Sequence, residues 1–164
     1  MDSRAKRLEK LLPNGRGVWI PIDHGASDFP VEGLVDTENT IKALISAGVD
    51  VILAQKGVVS HYSHLCEGTK TNMVVHLSVS TRHAGPDSEN KVLVGHPDEV
   101  ISRGGLGVSC QVNIGSPNEA EMIERMGEVS RQSHKLQLPM FGMVYARGEF
   151  LNIMEGDSTL GNAH

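Results

Sequence analysis

The sequence predicts an α/β protein built as the N-terminal five strand–helix units of a (βα)8 TIM barrel. Three observations carry that reading. Five apolar runs of strand length begin at residues 18, 49, 73, 108 and 140, so their starts lie 31, 24, 35 and 32 residues apart, close to the roughly 30 residues of a strand–helix–strand unit. The runs are continuously apolar rather than alternating, which suits parallel strands covered on their outer face. Each run ends in small, polar or charged residues, as expected where an active site gathers at the C-terminal ends of barrel strands.

The elements follow in order. Leu8, Leu11 and Leu12 sit among charges at helical spacing, and Pro13-Asn14-Gly15 stops that short helix. The first strand is read as Val18 to Ile22, ending in Asp23-His24-Gly25. Asp36 can cap a helix carrying Ile41, Leu44 and Ile45 that Gly48 closes. The second strand is Val49 to Ala54, ending in Gln55-Lys56-Gly57, and the following stretch, Val58 to Gly68, supports only a turn or two of helix. The third strand is Met73 to Leu77, with Ser78, Ser80 and Thr81 after it. Asn90 to Gly95 reads as a small irregular strand, and Pro97-Asp98-Glu99 opens a short helix halted by Gly104-Gly105. The fourth strand is Val108 to Ile114. Ser116-Pro117-Asn118-Glu119 then combines an N-cap, a proline at the first helical position and a capping-box glutamate. Met122, Ile123, Met126 and Val129 mark one face of that helix, which ends before Pro139. The fifth strand is Met140 to Val144, ending in Tyr145-Ala146-Arg147-Gly148.

Composition narrows the function. The chain has 164 residues, 39% hydrophobic and 21% charged, enough apolar material for a packed core. Twenty acidic against 15 basic residues give a net charge of −5, which argues against a general nucleic-acid binder. No apolar run approaches the ~20 residues of a membrane span. The charged start, Met1 to Lys10, lacks the apolar core of a secretory signal. Cys66 and Cys110 do not make a disulfide scaffold and read as reduced thiols, so a cytoplasmic protein is expected. No GxGxxG follows the first strand and no P-loop is present, which weighs against a nucleotide-binding sheet. A full barrel takes ~250 residues, so residues 1–164 are expected to form a single incomplete barrel domain.

Position at strand ends selects candidate residues. Asp23 can orient a hydroxyl or shuttle a proton; with His24 it can equally satisfy loop amides. Lys56, if desolvated, can form a Schiff base with a carbonyl substrate; a structural ion pair or a phosphate contact is the commoner use of such a lysine. Tyr145 can exchange a proton near a carbon centre, or pack by its ring. Arg147 can grip a phosphate or carboxylate with its planar fork, or pair at the surface. Ser78, Ser80 and Thr81 suit hydrogen bonding to a sugar or phosphate, and suit turn capping equally. Asn113 and Ser116 lie beside a helix start, where capping already accounts for the serine. Among eight histidines, His61 and His64 are three apart, yet HExxH and CxxC are both missing, so no metal site and no cofactor is expected. Cys110 and the Met122/Met126 pair read as packing residues.

The strings Val18-Trp-Ile-Pro-Ile-Asp-His-Gly-Ala-Ser27 and Pro30-Val-Glu-Gly-Leu34 resemble the opening strand and loop of the archaeal-type class I aldolases. The resemblance continues, in order, through Gln55-Lys-Gly57, His76-Leu-Ser-Val-Ser-Thr81, Lys91-Val-Leu-Val94, Val112-Asn-Ile-Gly-Ser116 and Met143-Val-Tyr-Ala-Arg-Gly148. Leu160-Gly-Asn-Ala-His164 is similar to the start of the next helix. The resemblance implies a (βα)8 barrel and aldol-type carbon–carbon chemistry without metal, in which a substrate carbonyl becomes an iminium on a lysine. Asp23 falls on the family's strand-one Asp and Tyr145 on its strand-five Tyr, both of which assist proton transfer. The substrate implied is a small phosphorylated sugar or keto compound. The first-strand strings are more similar to the heptulosonate-synthase branch than to the sugar-phosphate aldolase branch.

Four departures stand out. Gln55 and Gln111 occupy positions where the family has His, and Ala146 stands where it has Pro. The Schiff-base lysine belongs on a sixth strand, and no lysine follows Lys135, so the catalytic lysine is expected to lie outside this chain. Two readings compete with an aldolase segment: a half-barrel assembly module that pairs with its own copy or with a complementary C-terminal half, and a metal-dependent enzyme using the histidines. Open barrel edges favour some form of pairing, so a homo-oligomer or a complementary half is expected.

Overall fold

The structure is a computed structural model that describes residues 3–27 and 31–147. Five strands form one parallel sheet in the order β1-β2-β3-β6-β7: β1 (Trp19–Pro21), β2 (Val51–Gln55), β3 (Asn72–His76), β6 (Gly107–Ile114) and β7 (Met140–Ala146). A separate antiparallel ribbon joins β4 (Ser78–Val79) to β5 (Val92–Leu93). The helices are α1 (Ser3–Leu11), α2 (Thr37–Ser46), α3 (Lys56–Tyr62) and α4 (Glu119–Lys135). The expected half-barrel of five parallel strands is therefore present, with the sheet curled; the helix of the fifth unit lies outside the described residues.

Register decides which side chains face which layer, because successive residues of a strand point to opposite faces. The pairings Trp19–Val51, Leu53–Val74, His76–Ser109 and Gln111–Met143 put those residues on one face. The opposite face carries Ile52, Ala54, Met73, Val75, Val108 and Cys110, packed with Ile41 of α2, Val59 of α3 and Val129 of α4 into the main core. This layering explains the continuous apolar runs: one parity fills the outer layer and the other the barrel interior.

The lower interior is apolar. Leu11, Val51, Leu53 and Val74 are buried there against Trp19, Leu106, Phe141 and Met143. Trp19 and Phe141, from the sheet's two terminal strands, meet edge to face at 4.4 Å. Helix α1 closes this floor with Leu11, whose carbonyl accepts the Trp19 indole N–H at 3.0 Å. The chain can pass this closely only because residue 17 is glycine; a Cβ there would sit 2.9 Å from the Leu11 carbonyl oxygen.

Several boundaries depart from expectation for local reasons. Asp36 caps α2 as expected, accepting the Asn39 N–H at 3.2 Å, and Gly48 closes it at φ +74°. Helix α3 begins at Lys56, straight after Gln55, so Lys56 opens a helix rather than ending a strand. The segment opened by Pro97 is a single 3-10 turn, Pro97–Glu99. Helix α4 starts at Glu119 because Pro117 and Asn118 form a turn first. Ser116 accepts the Asn118 N–H, and Glu119 reaches back to the Gly115 N–H at 2.6 Å instead of to Ser116. Ile123 is half exposed, so it does not share the face of the buried Met122 and Val129. The expectation for Leu160 to His164 lies outside the described residues. Among those residues, no helix is long and apolar enough to cross a membrane.

Leu11 is fully buried and Leu8, one turn earlier, is 40% exposed. Leu11→Ala should therefore cost roughly 2–5 kcal/mol, and Leu8→Ala well under half of that. Urea unfolding checks this; equal losses would show that α1 does not plug the barrel floor.

Candidate active site

Toward the C-terminal ends of the strands the interior changes from apolar to polar. The inward positions above Val74, Leu53 and Phe141 are His76, Gln55, Ser109, Gln111, Asn113 and Tyr145. His76 is 2% exposed. Its Nδ1 lies 2.7 Å from the Ser109 hydroxyl and its Nε2 lies 3.1 Å from that of Ser78. Ser78 Oγ also accepts the Gln111 N–H at 2.9 Å. Gln111 donates to Asn113 Oδ1 at 2.7 Å, and Asn113 donates to the Glu89 carbonyl at 2.8 Å. Buried polar groups are tolerable only when partnered in this way.

Asp23 stands on top of this network. It opens the 3-10 turn Asp23–Ala26 that follows β1, and the Ile22 N–H bond to the Leu53 carbonyl at 2.8 Å fixes where that turn begins. Asp23 Oδ2 lies 3.6 Å from His76 Nε2, and Oδ1 lies 3.8 Å from the exposed His24 Nδ1. Burial pulls the His76 pKa down to about 4, partly opposed by the Asp23 charge. His76 is thus neutral at pH 7, with one ring nitrogen donating and the other accepting.

Asp23 and His24 share a cleft of about 250 Å³ with Tyr145 and Arg147. Pro21, Ser27, Lys91, Gln111 and Met143 complete its lining. Tyr145 projects from the end of β7, level with Asn113. The Arg147 N–H bond to the Ile114 carbonyl at 3.0 Å turns the chain so that the guanidinium sits 4.4 Å over the Tyr145 ring. The site thus combines a carboxylate, a phenol, a neutral imidazole beneath and two cations, a set able to move protons beside an anionic substrate. Two larger hollows, of about 300 and 340 Å³, lie around α1. The second holds the Lys70–Asp50 ion pair, and neither shares a residue with the cleft.

Of the strand-end candidates selected from sequence, the structure brings Asp23, His24, Tyr145 and Arg147 together. Lys56 and Ser80 do not line the cleft. Lys56 Nζ is 3.3 Å from the Glu99 carboxylate, which also pairs with Arg103. Burial works to raise the Glu99 pKa, but the His96 N–H, Arg103 and Lys56 hold it at about 2. The ion-pair alternative for Lys56 is the arrangement found. Ser80 is 8% exposed, past the end of β4. Sequence reasoning missed His76 and Lys91. His76 was findable, since it shares strand parity with Asn72 and Val74; Lys91 reaches the cleft only through loop geometry. Cys110 is a buried thiol, its pKa pushed up to about 11 by burial. Among the described residues no three His, Cys, Asp or Glu side chains cluster as a metal site would require.

His76 ties this network to pH. Its folded pKa of about 4 lies below the ordinary 6.5, so the unfolded chain takes up the proton first as pH falls. Stability is complete above pH 6.5 and declines toward pH 4, by on the order of 3 kcal/mol in all. Urea midpoints at pH 7.5 and 4.5 should differ accordingly, and the difference should shrink in His76→Gln. An identical acid sensitivity in the variant would assign the effect to other groups.

Comparison with known proteins gives a consistent picture. A 2-amino-3,7-dideoxy-D-threo-hept-6-ulosonate synthase from Halobacterium salinarum is 33% identical over 145 residues, which is 88% of this chain and 54% of the relative. A protein of the same name from Archaeoglobus fulgidus is 32% identical, over 90% of this chain and 55% of its own length. A 2-amino-4,5-dihydroxy-6-oxo-7-(phosphonooxy)heptanoate synthase from Streptomyces griseus is 34% identical, over 89% and 53%. The chain thus spans about half the length of the curated relatives it matches. A crystal structure of an archaeal fructose 1,6-bisphosphate aldolase superimposes with a TM-score of 0.74 at 22% identity, over 88% of this chain and 58% of that one, which shows the shared fold. Residues 18–155 match the family described as DeoC/LacD family aldolase, and with every barrel strand from Trp19 to Ala146 inside that match, the chain belongs to this aldolase family.

Proposed function

We propose that this chain supplies the first five strand–helix units of a Schiff-base aldolase or transaldolase-type barrel, of the 2-amino-3,7-dideoxy-D-threo-hept-6-ulosonate synthase kind, acting in the alternative route to 3-dehydroquinate and aromatic amino acids. The convergence of Asp23 and Tyr145 in one cleft at the strand ends carries the reading. In the proposed reaction a substrate carbonyl condenses with a lysine on the next barrel strand, beyond the residues of this chain, and the iminium acts as electron sink. Asp23 and Tyr145 move the protons that carbon–carbon bond making and breaking require. Arg147 and His24 hold a phosphorylated sugar or keto substrate. Lys56 and Ser80, first read as substrate contacts, are left out of this mechanism because neither lines the cleft. No metal or cofactor is invoked, and the cytoplasm is the proposed compartment.

A second reading, a class I fructose-bisphosphate aldolase, draws support from the solved structures of similar fold. The synthase reading is preferred because the relatives with the higher sequence identity carry that name. The sheet ends at β1 and β7 among the described residues, so a further chain or a C-terminal half is proposed to cover those edges. A non-catalytic half-barrel would use the same edges without chemistry.

In the barrel completed by its C-terminal segment, Asp23→Asn and Tyr145→Phe should each lower kcat by roughly 10²–10⁴-fold with an unchanged circular dichroism spectrum. Turnover at the parent rate would remove both from the mechanism. With residues 1–164 alone, borohydride and dihydroxyacetone phosphate should leave no stoichiometric adduct. A single labelled lysine within this chain would move the electron sink into it.

A further inference from the structure

Lys91 is not an ordinary surface lysine. Its backbone is clamped to α4 on both sides: its N–H donates to the Met122 thioether sulfur at 3.3 Å, and Arg125 donates to its carbonyl at 2.9 Å and to Asn90 Oδ1 at 2.7 Å. Two residues earlier, the Glu89 carbonyl is held by Asn113 at 2.8 Å. These bonds fix a loop that places the Lys91 side chain, half-buried, in the cleft with Asp23, Tyr145 and Arg147.

The ammonium lacks the usual compensation for that burial. Lys42, Lys56 and Lys70 each hold a carboxylate, at 2.6, 3.3 and 3.1 Å, whereas among the described residues no carboxylate comes within ion-pair reach of Lys91. Burial pulls its pKa below the ordinary lysine value; Glu89 and Asp23 oppose that at longer range and Arg147 reinforces it. Among the described residues that line the cleft there is one carboxylate, Asp23, against two basic side chains, Lys91 and Arg147. A partly desolvated excess cation favours an anionic partner, here inside a chain of net charge −5.

We propose that Lys91 is an anion-binding residue of the cleft, its ammonium acting with the Arg147 guanidinium to take the carboxylate or phosphate group of the substrate. The proposal rests on the substrate-cleft reading above and adds to it the residue that anchors the substrate's charge. Met122 and Arg125 are then positioning residues, acting through the Lys91 backbone.

The test titrates the isotope-labelled 164-residue chain with inorganic phosphate and, separately, with acetate, following the Tyr145 and Lys91 signals by NMR. The expected result is saturable binding of at least one anion that shifts both residues. Lys91→Met should weaken it at least 10-fold, Lys91→Arg should stay within about 3-fold of the parent, and Lys135→Met, an exposed change on the last turn of α4, should leave it unchanged. Phosphate binding without acetate binding identifies a phosphate subsite, and the reverse a carboxylate subsite. If Lys91→Met or Lys91→Gln binds as tightly as the parent while Tyr145 still responds, the proposal fails and the cleft reading survives. If Tyr145 responds to neither anion, or the shifts gather around α1, both fail.

Discussion

The parity of the parallel register governs everything else in this molecule. Each strand pairs with its neighbour so that alternate side chains enter a common interior, and a one-residue slip in any strand would exchange that set with the helix-facing set. With Val74 inward, His76 is inward too; with Ser109 inward, so are Gln111 and Asn113. The interior is therefore a stack: a lower level of Val51, Leu53, Val74 and Leu11, and an upper level of imidazole, hydroxyl and amide groups. The Trp19–Phe141 contact holds the two ends of the sheet around that stack.

The upper level costs desolvation, and its partners offset that cost. Nearly every buried polar atom in it meets another one, from Ser109 through His76 and Ser78 to Gln111, Asn113 and Glu89. An apolar interior would be simpler to stabilise. The polar one places a neutral imidazole 3.6 Å from the Asp23 carboxylate. Gln55 and Gln111 join this network without adding titratable groups: Gln55 donates to the Ser78 carbonyl at 3.1 Å and Gln111 to Asn113 Oδ1 at 2.7 Å.

The fold was legible because its strongest determinant, long apolar runs at the spacing of strand–helix units, is a linear feature of the sequence. The strand-end residues Asp23, His24, Tyr145 and Arg147 were legible for the same reason, since barrels place strand ends together. What could not be read depended on loops. Lys56 follows a strand in sequence, but α3 begins at once and carries it toward Glu99. Lys91 follows no long strand, yet Met122 and Arg125 of α4 bring it inward. The capping signal at Ser116 identified the right helix and misplaced its first turn, because Pro117 and Asn118 complete a turn of their own before it starts.

The β4–β5 ribbon gives the cleft unequal walls. Tyr145 stands on a seven-residue strand paired along its whole length with β6, so displacing it means opening a large share of the sheet. Lys91 is attached to a ribbon whose strands are two residues each. Such short pairings belong to the low-energy end of local opening, where a few bonds to α4 decide whether the segment is closed. One side of the cleft is thus held by sheet pairing and the other by side chains of α4. A substitution at Arg125 would therefore bear on the Lys91 wall and leave the β6–β7 pairing behind Tyr145 intact.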